Sequence, residues 1–127
     1  MPRIDVSFLF LSSACLVVGV CLGIYMGIRH DFQLAPVHAH LNLVGWASLA
    51  LFCTIYRAYP ELAASGLAKV HFCMAAPSAL AFPAGIYLAV IHEIKLLAII
   101  ASLLWLGGAL VFLANIARLT FAPAARS

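Results

Sequence analysis

The chain has 127 residues, of which 66% are hydrophobic and only 9% are charged, and its formal net charge at pH 7 is +3. A soluble domain carries roughly 25% charged residues, so this composition excludes an ordinary soluble domain and predicts an integral membrane protein. The small positive charge requires no nucleic-acid partner, because basic residues also accumulate in the cytoplasmic loops of membrane proteins.

Four apolar runs follow one another along the chain, at about residues 6–28, 34–56, 70–91 and 94–117. Each run reaches the ~20 residues that a helix needs to cross the hydrocarbon core of a bilayer. The alternating pattern of a transmembrane barrel is absent, which leaves helices as the way to satisfy the backbone in lipid. The sequence therefore predicts one all-α domain, residues 1–127, folded as a four-helix membrane bundle. The last connection, "HEIK", predicts a tight antiparallel hairpin.

The first run contains three glycines at intervals of four residues, Gly19, Gly23 and Gly27. This spacing places them on one face of a helix, and such faces let a second helix approach closely in a membrane. The same face could leave room for a flat cofactor, although helix packing is the more ordinary interpretation.

The basic residues divide unequally between the two ends of the predicted bundle. Two of them, Arg29 and Lys95, fall at one end, and five fall at the other: Arg3, Arg57, Lys69, Arg118 and Arg126. Because lysine and arginine favour cytoplasmic loops, both termini are predicted to be cytoplasmic, in a multi-pass protein of a bacterial cytoplasmic membrane. The segments "HDFQLAPVHAH" and "IHEIK" then face outward together.

Two histidines stand two residues apart where the second run begins, in "PVHAHLNLVGW" at residues 36–46. At ~100° per residue, His38 and His40 diverge by about 200° around the helix axis, so the spacing predicts that they point to opposite sides. If the pair is functional, each imidazole serves a different centre, unless the segment is unwound. The structural alternative is a pair of interfacial histidines that bind water and headgroups, although ionisable groups inside spans more often mark a site. From His40 to the inner end of the second helix is ~25 Å, so His71, near the inner end of the third helix, is expected to be too far away to share a metal ion.

The segments "VHAHLNLVGWASLALFCTIYRAYP" and "AKVHFCM" resemble the late helices of subunit I of the haem-copper oxidase superfamily, including its cbb3-type and nitric oxide reductase branches. The similarity covers roughly residues 36–90, about two of the four helices. In that motif the first histidine is the proximal ligand of the high-spin haem and the second ligates the low-spin haem. The resemblance implies those roles for His38 and His40, and it gives His71 no role as an iron ligand.

The chain also departs from that family. It has no His-His pair and no His-x-x-x-Tyr, so the copper ligands and the tyrosine of the oxidase active site are missing. A complete terminal oxidase is therefore not expected. The whole chain resembles small stand-alone four-helix relatives of these oxidases, whose "HDFQLAP" segment adds weight to His30. A second axial haem ligand would come from His30, His92 or another protomer.

The resulting hypothesis is a membrane protein that binds haem b and serves electron transfer or the binding of a diatomic gas. Asn42, Trp46 and Tyr87 are candidate neighbours of the haem, and Arg29 is a candidate partner of its propionates. Their ordinary roles would be interfacial anchoring and, for Asn42, interhelical hydrogen bonding. A twofold dimer could share haem or pack through the glycines of the first helix, and a quinol or a periplasmic cytochrome could be the redox partner.

Two alternatives belong to other functional classes. One is a copper or zinc protein, since imidazole suits either metal. Its candidate ligands at the outer mouth are His30, His38, His40, His92 and Glu93. The other alternative is a non-catalytic assembly or interaction partner of a respiratory oxidase, in which no stoichiometric cofactor is bound.

Overall fold

A computed structural model describes residues 3–121 and contains four long helices. They are α1 (Ile4–Arg29), α2 (Ala35–Ala58), α3 (Gly66–His92) and α4 (Leu96–Thr120). Each is long and apolar enough to cross a membrane. Within residues 3–121 there is no β-strand, so the prediction of an all-α fold with four helices long and apolar enough to span a membrane is confirmed for the described residues.

The predicted span boundaries agree with the helices to within about four residues, and the largest difference lies at the start of α3. The sequence predicts this span from residue 70, whereas the helix begins at Gly66. The hydroxyl of Ser65 accepts a hydrogen bond from the backbone N–H of Ala68 at 3.3 Å. Such a cap stabilises the first turn of a helix, and it extends α3 into the polar connection.

The helices alternate in direction along the bundle. Along α2, His38 contacts Gly23 of α1 and Tyr56 contacts Phe8, so α1 and α2 are antiparallel. His40 contacts Phe82 of α3 and Tyr56 contacts His71, so α2 and α3 are antiparallel too. The described chain begins and ends at the same end of the bundle, which we call the terminal end. We call the opposite end the loop end. Four of the five basic residues predicted at one end lie at the terminal end, and Arg126 lies outside the described residues.

The last two helices form the tight hairpin that the short "HEIK" connection predicts. A Cβ built on Gly85 of α3 would lie 2.7 Å from the Cα of Ala98 in α4. No other residue fits at that distance without moving a backbone, so Gly85 allows the two helices to touch. Around this hairpin, α4 exposes apolar side chains such as Leu103, Leu106 and Leu110, as expected of a surface that faces lipid.

The second helix is not a regular α-helix throughout. Directly after His40, residues Leu41–Ser48 form a π-helix, in which the backbone bonds span five residues instead of four. The hydroxyl of Ser12 in α1 donates to the carbonyl oxygen of Trp46 at 3.0 Å, and Cys15 packs against Gly45. These contacts from α1 stabilise the wide turns, which are uncommon and often occur at functional sites.

Candidate functional site

The imidazole of His38 lies between α2 and α1. Its Nδ1 is 2.8 Å from the carbonyl oxygen of Gly19. A Cβ on Gly23 would lie 2.9 Å from the Cε1 of His38, so this glycine makes room for the ring. His38 is therefore half-buried and takes part in the contact between the first two helices.

Asn42 lies one turn further along α2 on the same side. Its amide Nδ2 donates to the backbone carbonyl oxygen of His38 at 2.8 Å, and a Cβ on Gly19 would come within 2.9 Å of that nitrogen. The glycine face of α1 thus serves helix packing, as predicted. However, side chains of the same chain cover Gly19 and Gly23, and only Gly27 has open space within 4 Å. Within one chain Gly19 and Gly23 are thus occupied by α2, and the packing of a second copy on this helix stays a prediction.

The imidazole of His40 lies on another side of α2. Its ring is half-buried, and its centroid is 4.9 Å from that of Phe82 in α3. Its Nδ1 is 2.8 Å from the carbonyl oxygen of Pro36, one turn earlier. The prediction that the two histidines face different neighbours is confirmed, since His38 contacts α1 and His40 contacts α3.

The hydrogen bonds of the two histidines define where their protons lie. A carbonyl oxygen can only accept, so a neutral imidazole bonded to it carries its proton on Nδ1. In both His38 and His40 this leaves the lone pair on Nε2. Histidines that ligate a metal ion or haem iron commonly have this arrangement, in which the second nitrogen donates to a carbonyl and fixes the ring.

No protein-family model, curated protein or solved structure matches this chain. The geometry of its own residues is therefore the basis for any assignment of function.

Most of the other predicted site residues lie at the loop end, but Trp46 does not. Trp46 is in the middle of α2, where its carbonyl oxygen accepts from Ser12, and it is 41% exposed. Tyr87 is also 41% exposed, and its ring pairs with that of His92 at 6.1 Å between centroids. Arg29 and His30 are exposed where α1 ends, and His30 adopts a left-handed backbone with φ of 52°.

The candidate copper or zinc ligands do not form a cluster in one chain. Among residues 3–121, no group of three histidine, cysteine, aspartate or glutamate side chains is close enough to hold a metal ion. His92 ends α3, and Glu93 follows it with a left-handed φ of 60°.

The structure also contains a buried histidine site that the sequence analysis did not identify. His71 is 0% exposed, and its Nδ1 is 2.9 Å from the hydroxyl of Tyr56. Its Nε2 has no hydrogen-bond partner in the described part of the chain. Aromatic rings surround the imidazole, with centroids at 5.3 Å for Phe8, 4.4 Å for Phe52 and 5.0 Å for Phe112. We call this group the aromatic cage.

A second buried polar group lies beside the aromatic cage at the terminal end. Asn115 is 0% exposed, and its Nδ2 donates to the carbonyl oxygen of Leu62 at 3.0 Å. Its Oδ1 accepts from the hydroxyl of Ser65 at 2.9 Å and from Arg118 at 3.3 Å. These bonds tie α4 to the connection between α2 and α3. The described part of the chain thus holds polar groups at both ends, with His71 and Asn115 fully buried at the terminal end and His38 and His40 half-buried towards the loop end.

Proposed function

We propose that the chain is a membrane protein that binds haem b, with His40 supplying one axial imidazole. The observation that carries the proposal is the 2.8 Å hydrogen bond from the Nδ1 of His40 to the carbonyl oxygen of Pro36. It leaves the Nε2 lone pair available on a half-exposed ring, and no hydrogen bond within residues 3–121 reaches that nitrogen. Haem iron binds neutral imidazole through a nitrogen of this kind.

The surroundings of the two histidines favour His40 over His38. Phe82 supplies an apolar ring beside His40, and apolar side chains suit the face of a porphyrin. His38 is held by Gly19 and lies against Gly23, so a macrocycle on that side would have to separate α1 from α2. His38 remains the second candidate, although the amide Nδ2 of Asn42 lies 3.5 Å from its Nε2 and would have to move away from that lone pair. Bound haem would supply one-electron transfer or an iron that binds a diatomic gas.

We propose that the second axial ligand comes from another copy of the chain. A twofold axis would bring an equivalent His40 to the opposite face of one haem. His30 and His92 are the alternatives within the chain. With both termini in the cytoplasm of a bacterium, the haem would lie near the outer leaflet, where a quinol or a periplasmic cytochrome could exchange electrons with it.

The test is an absorption spectrum with metal analysis. The protein is produced with excess haem, purified in detergent and compared with the variants His40→Ala, His38→Ala, His30→Ala and His92→Ala. We expect a Soret band in the wild type and a haem occupancy at least about tenfold lower in His40→Ala, since even indirect supporting contacts are worth 10–100-fold in metal affinity. A Gln33→Ala variant is the matched control, because it truncates an exposed polar side chain at the same end of the bundle.

The same data separate the other functional classes. A preparation that stays colourless after haem loading, or a His40→Ala variant with full occupancy, contradicts the proposal. Copper or zinc at one equivalent without a Soret band indicates the metal-binding alternative. Absence of every cofactor indicates an assembly or interaction partner of a respiratory oxidase.

A further inference from the structure

A cavity of about 630 Å³ opens at the terminal end, between the start of α1 and the first turns of α3. Arg3 and Lys69 line its polar side, and Ile4, Phe72 and Cys73 line its apolar side. Its volume lies within the range of 300–1,000 Å³ that is typical of ligand sites. The cavity is separate from the loop-end histidines, and the proposed haem does not use it.

The polar side of this cavity carries excess positive charge. Asp5 also lines it, but one of its carboxylate oxygens is 2.8 Å from Arg3 and 3.4 Å from Arg57. Two guanidinium groups therefore compensate the single carboxylate. Lys69 is exposed and enters no ion pair within residues 3–121. A ligand that carries an anionic group would neutralise the remaining positive charge.

The position of the cavity indicates what kind of anion would enter it. Both cations lie where a membrane-spanning helix begins, at the level where hydrocarbon gives way to headgroups. Below them, Phe72 and Ile4 offer an apolar wall that a free phosphate ion would leave uncovered. A phospholipid satisfies both halves, because its phosphate can contact the cations while an acyl chain follows the apolar wall.

We propose that this cavity binds an anionic phospholipid, with the lipid phosphate between Lys69 and Arg3 and an acyl chain along Phe72. Each basic residue near an anionic lipid surface contributes about a fivefold gain in affinity. Removing Lys69 is therefore expected to weaken binding about fivefold, and removing both cations to weaken it about 30-fold.

The experiment is a lipid titration followed by native mass spectrometry. Full-length protein in a neutral detergent receives either phosphatidylglycerol or phosphatidylcholine with identical acyl chains, and the bound lipids are counted. The variants are Lys69→Gln and the double variant Arg3→Gln/Lys69→Gln, each checked for helix content by circular dichroism. Lys95→Gln is the matched control, because it removes the same charge at the loop end. Cys73→Phe fills the apolar side and leaves both cations in place.

We expect one tightly bound phosphatidylglycerol in the wild type and in Lys95→Gln. Weaker binding is expected in Lys69→Gln, in the double variant and in Cys73→Phe. Equal binding of phosphatidylcholine, or an equal loss in Lys95→Gln, would overturn the proposal. Two results together would assign the site to free phosphate. Millimolar inorganic phosphate would displace the lipid, and the Cys73→Phe variant would bind the lipid as tightly as the wild type. A neutral quinone retained in place of the phospholipid would also overturn it.

Discussion

The hydrogen bond between Tyr56 and His71 offers the most direct test of how the terminal half of the bundle is stabilised. Tyr56→Phe removes the hydroxyl that lies 2.9 Å from the Nδ1 of His71 and keeps the aromatic ring. Because His71 is 0% exposed and its Nε2 has no partner within residues 3–121, the variant leaves both ring nitrogens without a hydrogen bond from that part of the chain. We expect the free energy of unfolding to decrease.

The magnitude follows from the burial of the pair. An unsatisfied buried polar group costs about 1–3 kcal/mol, whereas side-chain hydrogen bonds between membrane helices contribute about 0.6 kcal/mol on average and about 1.7 kcal/mol at most. Tyr56 is 2% exposed and His71 is 0% exposed, so water cannot replace the lost hydroxyl. We therefore expect a loss of about 1.5 kcal/mol, near the upper end of the membrane values.

A double-mutant cycle isolates the hydrogen bond from changes in packing. His71→Phe leaves the Tyr56 hydroxyl without its imidazole partner and adds volume to the aromatic cage, which by itself costs about 1–3 kcal/mol. The variant that carries both substitutions has no polar group left in the pair. Replacing both partners of a buried hydrogen bond by apolar groups is nearly neutral, so the double variant should be more stable than the sum of the single changes predicts. We expect a coupling of about 1.5 kcal/mol.

The free energies come from reversible unfolding by sodium dodecyl sulfate in mixed micelles, followed by circular dichroism. Tyr59→Phe is the matched control, since Tyr59 is 52% exposed and should change the stability by less than about 0.5 kcal/mol. Additive single effects, with a coupling below about 0.3 kcal/mol, would refute the argument that the hydroxyl satisfies the imidazole.

Two further predictions concern packing and buried polarity. Gly85→Val should destabilise the hairpin by more than about 2 kcal/mol, because even a Cβ would lie 2.7 Å from the Cα of Ala98. Gly27→Ala is the control, since nothing lies within 4 Å of the added Cβ. It should be neutral or stabilising by up to about 1 kcal/mol in the same unfolding assay. Asn115→Ala should cost about 2–3 kcal/mol, because Ser65 and a backbone carbonyl lose their buried partner; an unchanged unfolding midpoint would contradict this.

The four helices were predictable because length and hydropathy alone determine whether a segment can span a bilayer. The different directions of His38 and His40 were predictable too, since rotation per residue is a property of any helix. The early start of α3 was missed because it depends on the Ser65 cap, which a hydropathy pattern does not detect.

The parts that could not be predicted depend on contacts between distant segments. The π-helix of α2 rests on Ser12 and Cys15, which belong to α1. The aromatic cage joins residues from all four helices. The contact between Tyr56 and His71 depends on how the connection between α2 and α3 folds, which the sequence pattern does not show. In the sequence, the signal for this site was the position of His71 within an apolar span. A polar side chain there is costly to bury, so its presence implies a hydrogen-bond partner.

The π-helix Leu41–Ser48 also affects how the two ends of α2 depend on each other. A residue in a wide turn rotates the chain less than a residue in an α-turn. The directions of the side chains at the Tyr56 end, relative to those at the histidine end, therefore differ from those in a regular α-helix. A π-turn holds about one residue more than an α-turn, so a one-residue deletion that returned this segment to an α-helix would leave Phe52 and Tyr56 facing the bundle. The same deletion in a regular part of α2 would turn the following residues by about 100°. The wide turns therefore give this segment a tolerance for a change in length that the rest of the helix lacks.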